Sequence, residues 1–423
     1  MSKSVRRLAL ALGVAITMSA CSSSSKTASQ GTTSTAAAGA STTAPGAAFA
    51  AVAAEARGQT VNWYMYGGSD TINAFANGYV ATTLKNKYGV TLNQVKVTDT
   101  VDAVNKVLGE KQAGKTTDGS VDAIWINGEN FATGKQADLW ECGYVKDLPS
   151  AKNVDFENPN IKNDFGLAVD GCESPWQQAN SALVYDSAKL GAADVTSMTA
   201  LFAWAKAHPG QLTYPAPPDF TGSMFVRTAF YDANGGPTAY LGTFDAAKYA
   251  PAAAKTWAKL NDLKPALWMQ GTTYPQTQTE VSKLFADGTI AAFLTYGPGL
   301  VGSQVDKGNY PKTTREATFT SGNIGNISFI SVPKNAAHKA AGKVLAEVLL
   351  SPESQIEYYK ATGGLPAISA DKAGADFKQQ FAAVPVSPSV LPFADLTKNA
   401  QPELEKAYVV KIEGDWKTNV LQK

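Results

Sequence analysis

Between residues 60 and 126 the chain alternates short β-branched or aromatic runs with stretches of helical spacing, and this alternation narrows the possible folds most. Thr60–Tyr66 is a strand pattern that stops at Gly67-Gly68. Ser69 or Asp70 then caps a helix whose apolar residues Ile72, Phe75, Tyr79 and Leu84 stand at near-helical spacing. Val90–Val97 predicts a second strand, 100–111 a second helix with Val101, Val104 and Leu108 on one face, and Val121–Ile126 a third strand. Strands alternating with helices predict a parallel sheet covered on both faces, an α/β architecture. Ligands of such sheets meet the loops at the carboxyl ends of the strands. Gly67-Gly68-Ser69-Asp70 and Asn127-Gly128-Glu129-Asn130 are two such loops.

The pattern resumes further on. Strands are predicted at 182–185, 290–295 and 325–332, and helices at 198–207, 244–263, 277–287, 336–350, from Pro352 onward, and over 402–421. Another helix starts near Thr221 to Ser223, after the bend Pro215-Ala216-Pro217-Pro218. The chain from Gly58 to Lys423 is long enough for two packed lobes rather than one core.

The first twenty residues read differently. Lys3, Arg6 and Arg7 precede an uncharged run from Leu8 to Met18, then Ser19 and Ala20, the pattern of a secretory signal peptide. That run is shorter than the ~20 apolar residues a spanning helix needs. Cys21 at the first mature position resembles the lipobox of bacterial lipoproteins, whose cysteine carries acyl chains (palmitate among them); Met18 stands where Leu is usual. Acylation there anchors the chain stably to the outer face of the bacterial cytoplasmic membrane. Residues 21–57, rich in Ser, Thr, Ala and Gly, form a flexible tether whose Ala-rich end, from Ala47, has helical character.

Formal charge is +1, and loss of the three basic residues of the signal segment leaves −2. That balance excludes nucleic acid and anionic lipid as the main partner, since both require a basic face. Cys142 and Cys172 are the remaining cysteines and predict a disulfide in an exported chain, the alternative being two buried thiols. No CxxC occurs and His208 and His338 stand apart, so no metal site or cofactor is expected. His208, ahead of Pro209-Gly210, suits the C-terminal end of a helix.

Several stretches carry a resemblance. Asp122 to Phe131, with Trp-Ile-Asn-Gly-Glu-Asn-Phe at its end, resembles a segment of the YnjB-like branch of the thiamine/polyamine/iron/sugar-binding superfamily of ABC-importer solute-binding proteins. Glu173–Ala179 with Val184-Tyr185-Asp186 resembles the segment where such chains first cross between lobes. Asp287–Phe293 with Tyr296-Gly297-Pro298 resembles the return strand, and Leu349–Gln355 a late helix. The resemblance runs from Gly58 onward. It implies a two-lobed periplasmic-binding-protein fold of type II with a hinge of crossing strands, and closure around a trapped ligand. It implies lobes of 58–172 plus 290–323 and of 173–289 plus 324–423. It further implies a monomer, extracytoplasmic and membrane-anchored, which hands a small-molecule solute to an ABC permease served by a separate ATPase.

Candidate ligand-binding residues follow from the loops aimed at the cleft. Tyr66, Ser69 and Asp70 close the first strand, the alternatives being a helix cap for Asp70 and a core position for Tyr66. Asn127, Glu129 and Asn130 close the third; Glu129 takes a cationic group or pairs with a lysine. Trp176 and Gln178 lie at the first crossing, Trp176 stacking on a ligand or packing the hinge. Asp219, Phe220, Thr221 and Ser223 open a helix, and Tyr296 follows the return strand. Aromatic rings mixed with carboxylates suit an organic cation of thiamine or polyamine type. The same set also suits a carbohydrate. Arg227 and Arg315 are placed off the rim, which disfavours an oxyanion. A tethered enzyme such as a glycosidase needs only two carboxylates at the right separation. No GxSxG or HExxH stands in the sequence, however, and the expectation is a binding protein, not an enzyme.

Overall fold

The structure is a computed structural model that describes residues 45–297 and 299–423, with side chains from residue 48. The signal segment, Cys21 and most of the proposed tether lie outside the described residues. Two sheets organise the rest. The first has the order β2-β1-β3-β10-β6, from Thr91–Val97, Thr60–Tyr66, Ala123–Ile126, Ile327–Ser331 and Ser174–Gln178. The second has the order β8-β7-β9, from Ala292–Thr295, Ala182–Asp186 and Thr314–Ala317. A small hairpin, β4 Asn163–Asp164 with β5 Leu167–Ala168, stands apart from both.

The helices used below are α1 Pro45–Ala56, α2 Asp70–Phe75, α3 Thr100–Gln112, α4 Gly128–Gln136, α5 Met198–Ala207, α6 Phe220–Asn234, α7 Lys339–Leu350, α8 Pro352–Thr362 and α9 Lys406–Trp416. Strand β1 buries Val61, Trp63 and Met65 and turns the residues between them toward the opposite, partly covered face, the period-two pattern of a strand. Its pairings with β2 and β3 are parallel, as expected, but β10 runs antiparallel to β3 and β6, and both pairings of β7 are antiparallel. The sheets are therefore mixed and antiparallel rather than all-parallel.

Each sheet has its own apolar core. Trp63, Trp140, Trp176, Phe329 and Leu345 belong to the first, and Phe225, Phe230, Trp257, Tyr408 and Trp416 to the second. The strand pairings group the chain differently from the expected lobes. Strands β8 and β9, within 290–323, flank β7 in the second sheet, whereas β6 and β10 lie in the first. The physical reason is burial: all five residues of β10 are buried, so it is a central strand between β3 and β6. The chain thus leaves the first sheet after Gln178 and returns to it before Ile327. A third passage runs through 383–400, where Leu396 packs with Ala182, Tyr359 and Leu365 at the junction.

The Ala-rich end of the expected tether is helical, as predicted, and it is also part of the first lobe. Phe49 and Ala56 are buried, and the Phe49 ring meets Tyr88 edge-on at 6.1 Å. Small alanines let α1 approach α7 closely, and burying Phe49 offsets the entropy of ordering the segment. Cys142 and Cys172 form a disulfide. His208 caps the C-terminus of α5, its Nδ1 2.9 Å from the Trp204 carbonyl oxygen and its ring stacked on Trp204. Among the described residues no helix is long and apolar enough to cross a membrane, and no cluster of three or more His, Cys, Asp or Glu could hold a metal.

Candidate functional site

The facing surfaces of the two lobes meet along α4 on one side and along α6 and α9 on the other. The α4 wall begins where β3 ends. Asn127 is extended and makes no side-chain cap bond, and Gly128 follows in the left-handed region at φ +63°. That conformation suits glycine because it has no Cβ, and a Cβ here would stand 3.2 Å from the Phe165 ring. The Gly128 amide donates to Asp164 Oδ2 at 2.5 Å, which fixes the start of α4 and aims Asn127, Glu129 and Asn130 into the cleft.

The opposite wall begins with Asp219, whose carboxylate accepts from the amides of Thr221 and Gly222, both at 2.9 Å, and so caps α6. Phe220, Ser223 and Arg227 fall at i, i+3 and i+7, one stripe of the helix, and all three line the cleft. Phe220 is 41% exposed and lies against the Tyr296 ring at 4.8 Å. Arg227 is 1% exposed, yet each of its three guanidinium nitrogens has a partner. Its Nε and Nη2 donate to the two oxygens of Glu403 at 2.9 and 3.1 Å, Nη1 to Ser223 Oγ at 2.5 Å, and Nη2 also to the Tyr296 hydroxyl at 3.2 Å. Tyr296 donates in turn to Glu403, and Ser223 donates to Glu413 Oε1 at 2.5 Å. A bidentate guanidinium–carboxylate pair of this kind is held in one geometry.

Electrostatics follow from that pairing. Glu403 neutralises Arg227, whereas Glu129 on α4 and Glu413 on α9 make no ion pair within 4 Å among the described residues and face the same cleft. Burial raises the Glu129 carboxyl above its ordinary value, with Arg227 and Lys406 pulling it back and Asp99 adding to the rise. Burial pushes Glu413 up to about 7, and the Glu129 charge adds to it. Asp219 is also raised by burial. Lys406 Nζ donates to Thr133 Oγ1 at 2.9 Å across the lobes. The cleft thus holds two acidic groups outside any ion pair, one from each lobe, beside the aromatic faces of Phe165 and Phe220.

Seven of the predicted residues meet here. Asn127, Glu129, Asn130, Phe220 and Ser223 line the cleft, Tyr296 stands behind Phe220, and Asp219 caps the helix that carries them. Thr221 is buried within α6. The others fall elsewhere. Ser69 caps α2 by accepting from the Ile72 amide, and Asp70 is exposed in its first turn. Tyr66 is half-buried against Trp125. Gln178 donates to the Pro366 carbonyl at the crossing. Trp176 is 1% exposed, wedged among Trp63, Trp125 and Tyr358, so its ring packs the core and has no free face for a ligand. Arg227, expected off the rim, is in the cleft because a residue two turns into α6 shares the face of Phe220. Phe165, Val409 and Glu413 also line it. Their only sequence signals are the four-residue spacing of Val409 and Glu413 and the apolar residue before Gly166.

Two lobes, chain crossings between them and a polar cleft lined from both sides define a two-lobed solute-binding protein. The comparisons with known proteins agree. The model of the bacterial extracellular solute-binding protein family matches residues 79–384, and the chain belongs to that family. It is 36% identical over 307 residues to Protein YnjB of Escherichia coli K12, covering 71% of this chain and 77% of that protein. The spermidine/putrescine ABC transporter substrate-binding protein PotD of Streptococcus pneumoniae shares the fold, with TM-score 0.59 at 13% identity over 86% of this chain and 98% of that one. The periplasmic binding protein AfuA of Actinobacillus pleuropneumoniae, with fructose-6-phosphate bound, does so with TM-score 0.56 at 12% identity over 86% and 98%. The chain is an extracellular solute-binding protein, a binding protein rather than an enzyme.

Proposed function

We propose that the solute is an organic cation of thiamine or polyamine type, held between Glu129 of one lobe and Glu413 of the other with its apolar part against Phe220. The observation that carries this reading is the mismatch of charge in the cleft. The buried arginine is already paired with Glu403, and two acidic groups from opposite lobes form no ion pair within 4 Å among the described residues. Closure brings like charges together, and a cation between them turns that cost into attraction. Lobe closure is then coupled to the charge of the solute, because a neutral sugar leaves the repulsion in place. Residues 1–57 complete the reading. Cleavage before Cys21 and acylation of its thiol and amine keep the loaded protein beside the permease, whose ATPase is a separate chain.

The test is thermal unfolding against thiamine, spermidine, putrescine, neutral sugars, phosphate and sulfate. A ligand at 100 times its dissociation constant adds about 2.7 kcal/mol, a shift of a few degrees here. The expected result is a shift with an organic cation that disappears in Glu129→Gln and Glu413→Gln. A shift with sugars or oxyanions alone keeps a binding protein but removes the cation.

A further inference from the structure

One side chain of the cleft comes from neither wall. Phe165 sits at the tip of the β4–β5 hairpin, in the two-residue loop Phe165-Gly166 closed by the pair Asp164 and Leu167. The hairpin belongs to the first lobe, since Ile161, Val169 and Cys172 around it are in that core and Asp164 holds the Gly128 amide. The Phe165 ring, however, is part of the core of the second lobe. It lies 6.3 Å from the Phe220 ring, and the Arg227 guanidinium stands over it at 5.6 Å. Gly166 at the same tip approaches Glu405 of the second lobe, where a Cβ would stand 3.4 Å from the Glu405 Cβ.

The backbone marks this position as one where local preference is overridden. Phe165 has φ +44° and Gly166 φ +75°, so both loop residues lie in the left-handed region, as in a type I′ hairpin turn. Such turns favour Asn-Gly, and an aromatic residue at the first position is strained. Strain of this kind persists only where the surroundings over-determine it, and here the surroundings are the socket formed by Phe220 and Arg227. With the ring in place, the pocket between Glu129, Phe165, Phe220 and Glu413 is about 30 Å³. That holds a water or two and falls far below the several hundred Å³ of a small-molecule site. The arrangement with the ring seated therefore has no room for a small-molecule solute.

We propose that Phe165 is an internal plug: a ring of the first lobe that docks on the Phe220–Arg227 face of the second and competes with the solute for the closed cleft. The solute binds only after the ring has withdrawn, so its apparent affinity is its intrinsic affinity reduced by the unplugged fraction. This rests on the reading of the cleft as the solute site, but its first test needs no solute.

The test is Phe165→Asn, which installs the favoured Asn-Gly turn while removing the ring, with Phe165→Tyr as the control that keeps it. In solute-free small-angle scattering, Phe165→Asn is expected to show a larger radius of gyration than the wild type, and Phe165→Tyr the wild-type value. Loss of one aromatic pair and one cation–π contact corresponds to a roughly tenfold rise in the open-to-closed ratio. Association of spermidine or thiamine, whichever stabilises the wild type, should then be faster by a similar factor. Phe220→Ala removes the socket at an exposed position and must open the solute-free protein too, which keeps the test decisive if the hairpin variant does not fold. Scattering of the folded variants that superimposes on the wild type overturns the plug. Opening of the variants without binding of any cation upholds the plug and overturns the cation reading instead.

Discussion

Glu403→Gln is the sharpest perturbation of the cleft floor. The change keeps the shape of the side chain and removes only its charge, leaving the Arg227 guanidinium 1% exposed without its directly paired carboxylate. Glutamine retains one acceptor where the carboxylate used two, and the new amide group points donors at a group that can only donate. Tyr296, which donates to Glu403 and accepts from Arg227, loses part of both contacts. Removing one member of a buried ion pair costs about 3–5 kcal/mol, mostly as the penalty on the charge left behind. With an unfolding entropy of about 2.1 cal/mol/K per residue, and unfolding as a unit, that is a fall in Tm of about 4–6 °C. Urea denaturation of the wild type, Glu403→Gln, Arg227→Met and the double variant closes a thermodynamic cycle. The double variant should recover most of the loss, because no buried charge is then unpaired. A loss below about 1 kcal/mol in Glu403→Gln would refute the reasoning, since that is the range of a solvent-exposed pair.

Four further outcomes follow from the structure. Glu413 and Glu316 are each pushed up to about 7 by burial, Glu316 despite accepting from the amides of Leu391 and Gly299. Both bind a proton more tightly folded than unfolded, so the stability these two groups contribute should be full below about pH 4.5 and be lost as pH rises through about 7; Glu316→Gln should remove its share of that pH dependence from the melting profile. Solute affinity should run the other way, rising with pH as Glu413 loses its proton. Trp176→Ala should lower stability by about 3–5 kcal/mol in urea titrations while changing solute affinity less than threefold, as expected of a core ring and not of a stacking platform. Reducing the Cys142–Cys172 disulfide, which spans 30 positions, should cost roughly 3–4 kcal/mol, read as a drop in Tm with dithiothreitol that a Cys142→Ala, Cys172→Ala variant reproduces without it.

The sequence made some of this legible for definite reasons. Strand β1 was readable in full because its inward residues are large and apolar and alternate with polar ones. Strand β10 was readable in place but not in direction, since an apolar run looks the same in a parallel and an antiparallel neighbour. Strand β6 was not readable as a strand: Ser174-Pro175-Trp176-Gln177-Gln178 has neither alternation nor β-branched residues, and it is held by β10 beside it. The Asn127–Asn130 loop stood out because it ends a strand in a polar turn, the place where such sheets meet ligands. Arg227 was judged by its distance from the loops, whereas helical periodicity puts it on the Phe220 face. Phe165 and Glu413 reach the cleft from a hairpin tip and from the last helix, and no local pattern signals a meeting of segments so far apart. The pairing of strands from 290–323 with β7 has the same origin, because strand pairing is a tertiary choice among compatible strands.

The central claim is that one carboxylate from each lobe closes on a cationic solute. The most direct measurement is calorimetric titration of spermidine and thiamine into the wild type, Glu129→Gln and Glu413→Gln at pH 8, where Glu413 is ionised. The account predicts binding of one of these cations, weakened at least tenfold by either substitution, with proton release appearing when the titration is repeated near pH 6. Binding of a cation with unchanged affinity in both variants, or of a neutral sugar in preference to any cation, would contradict it.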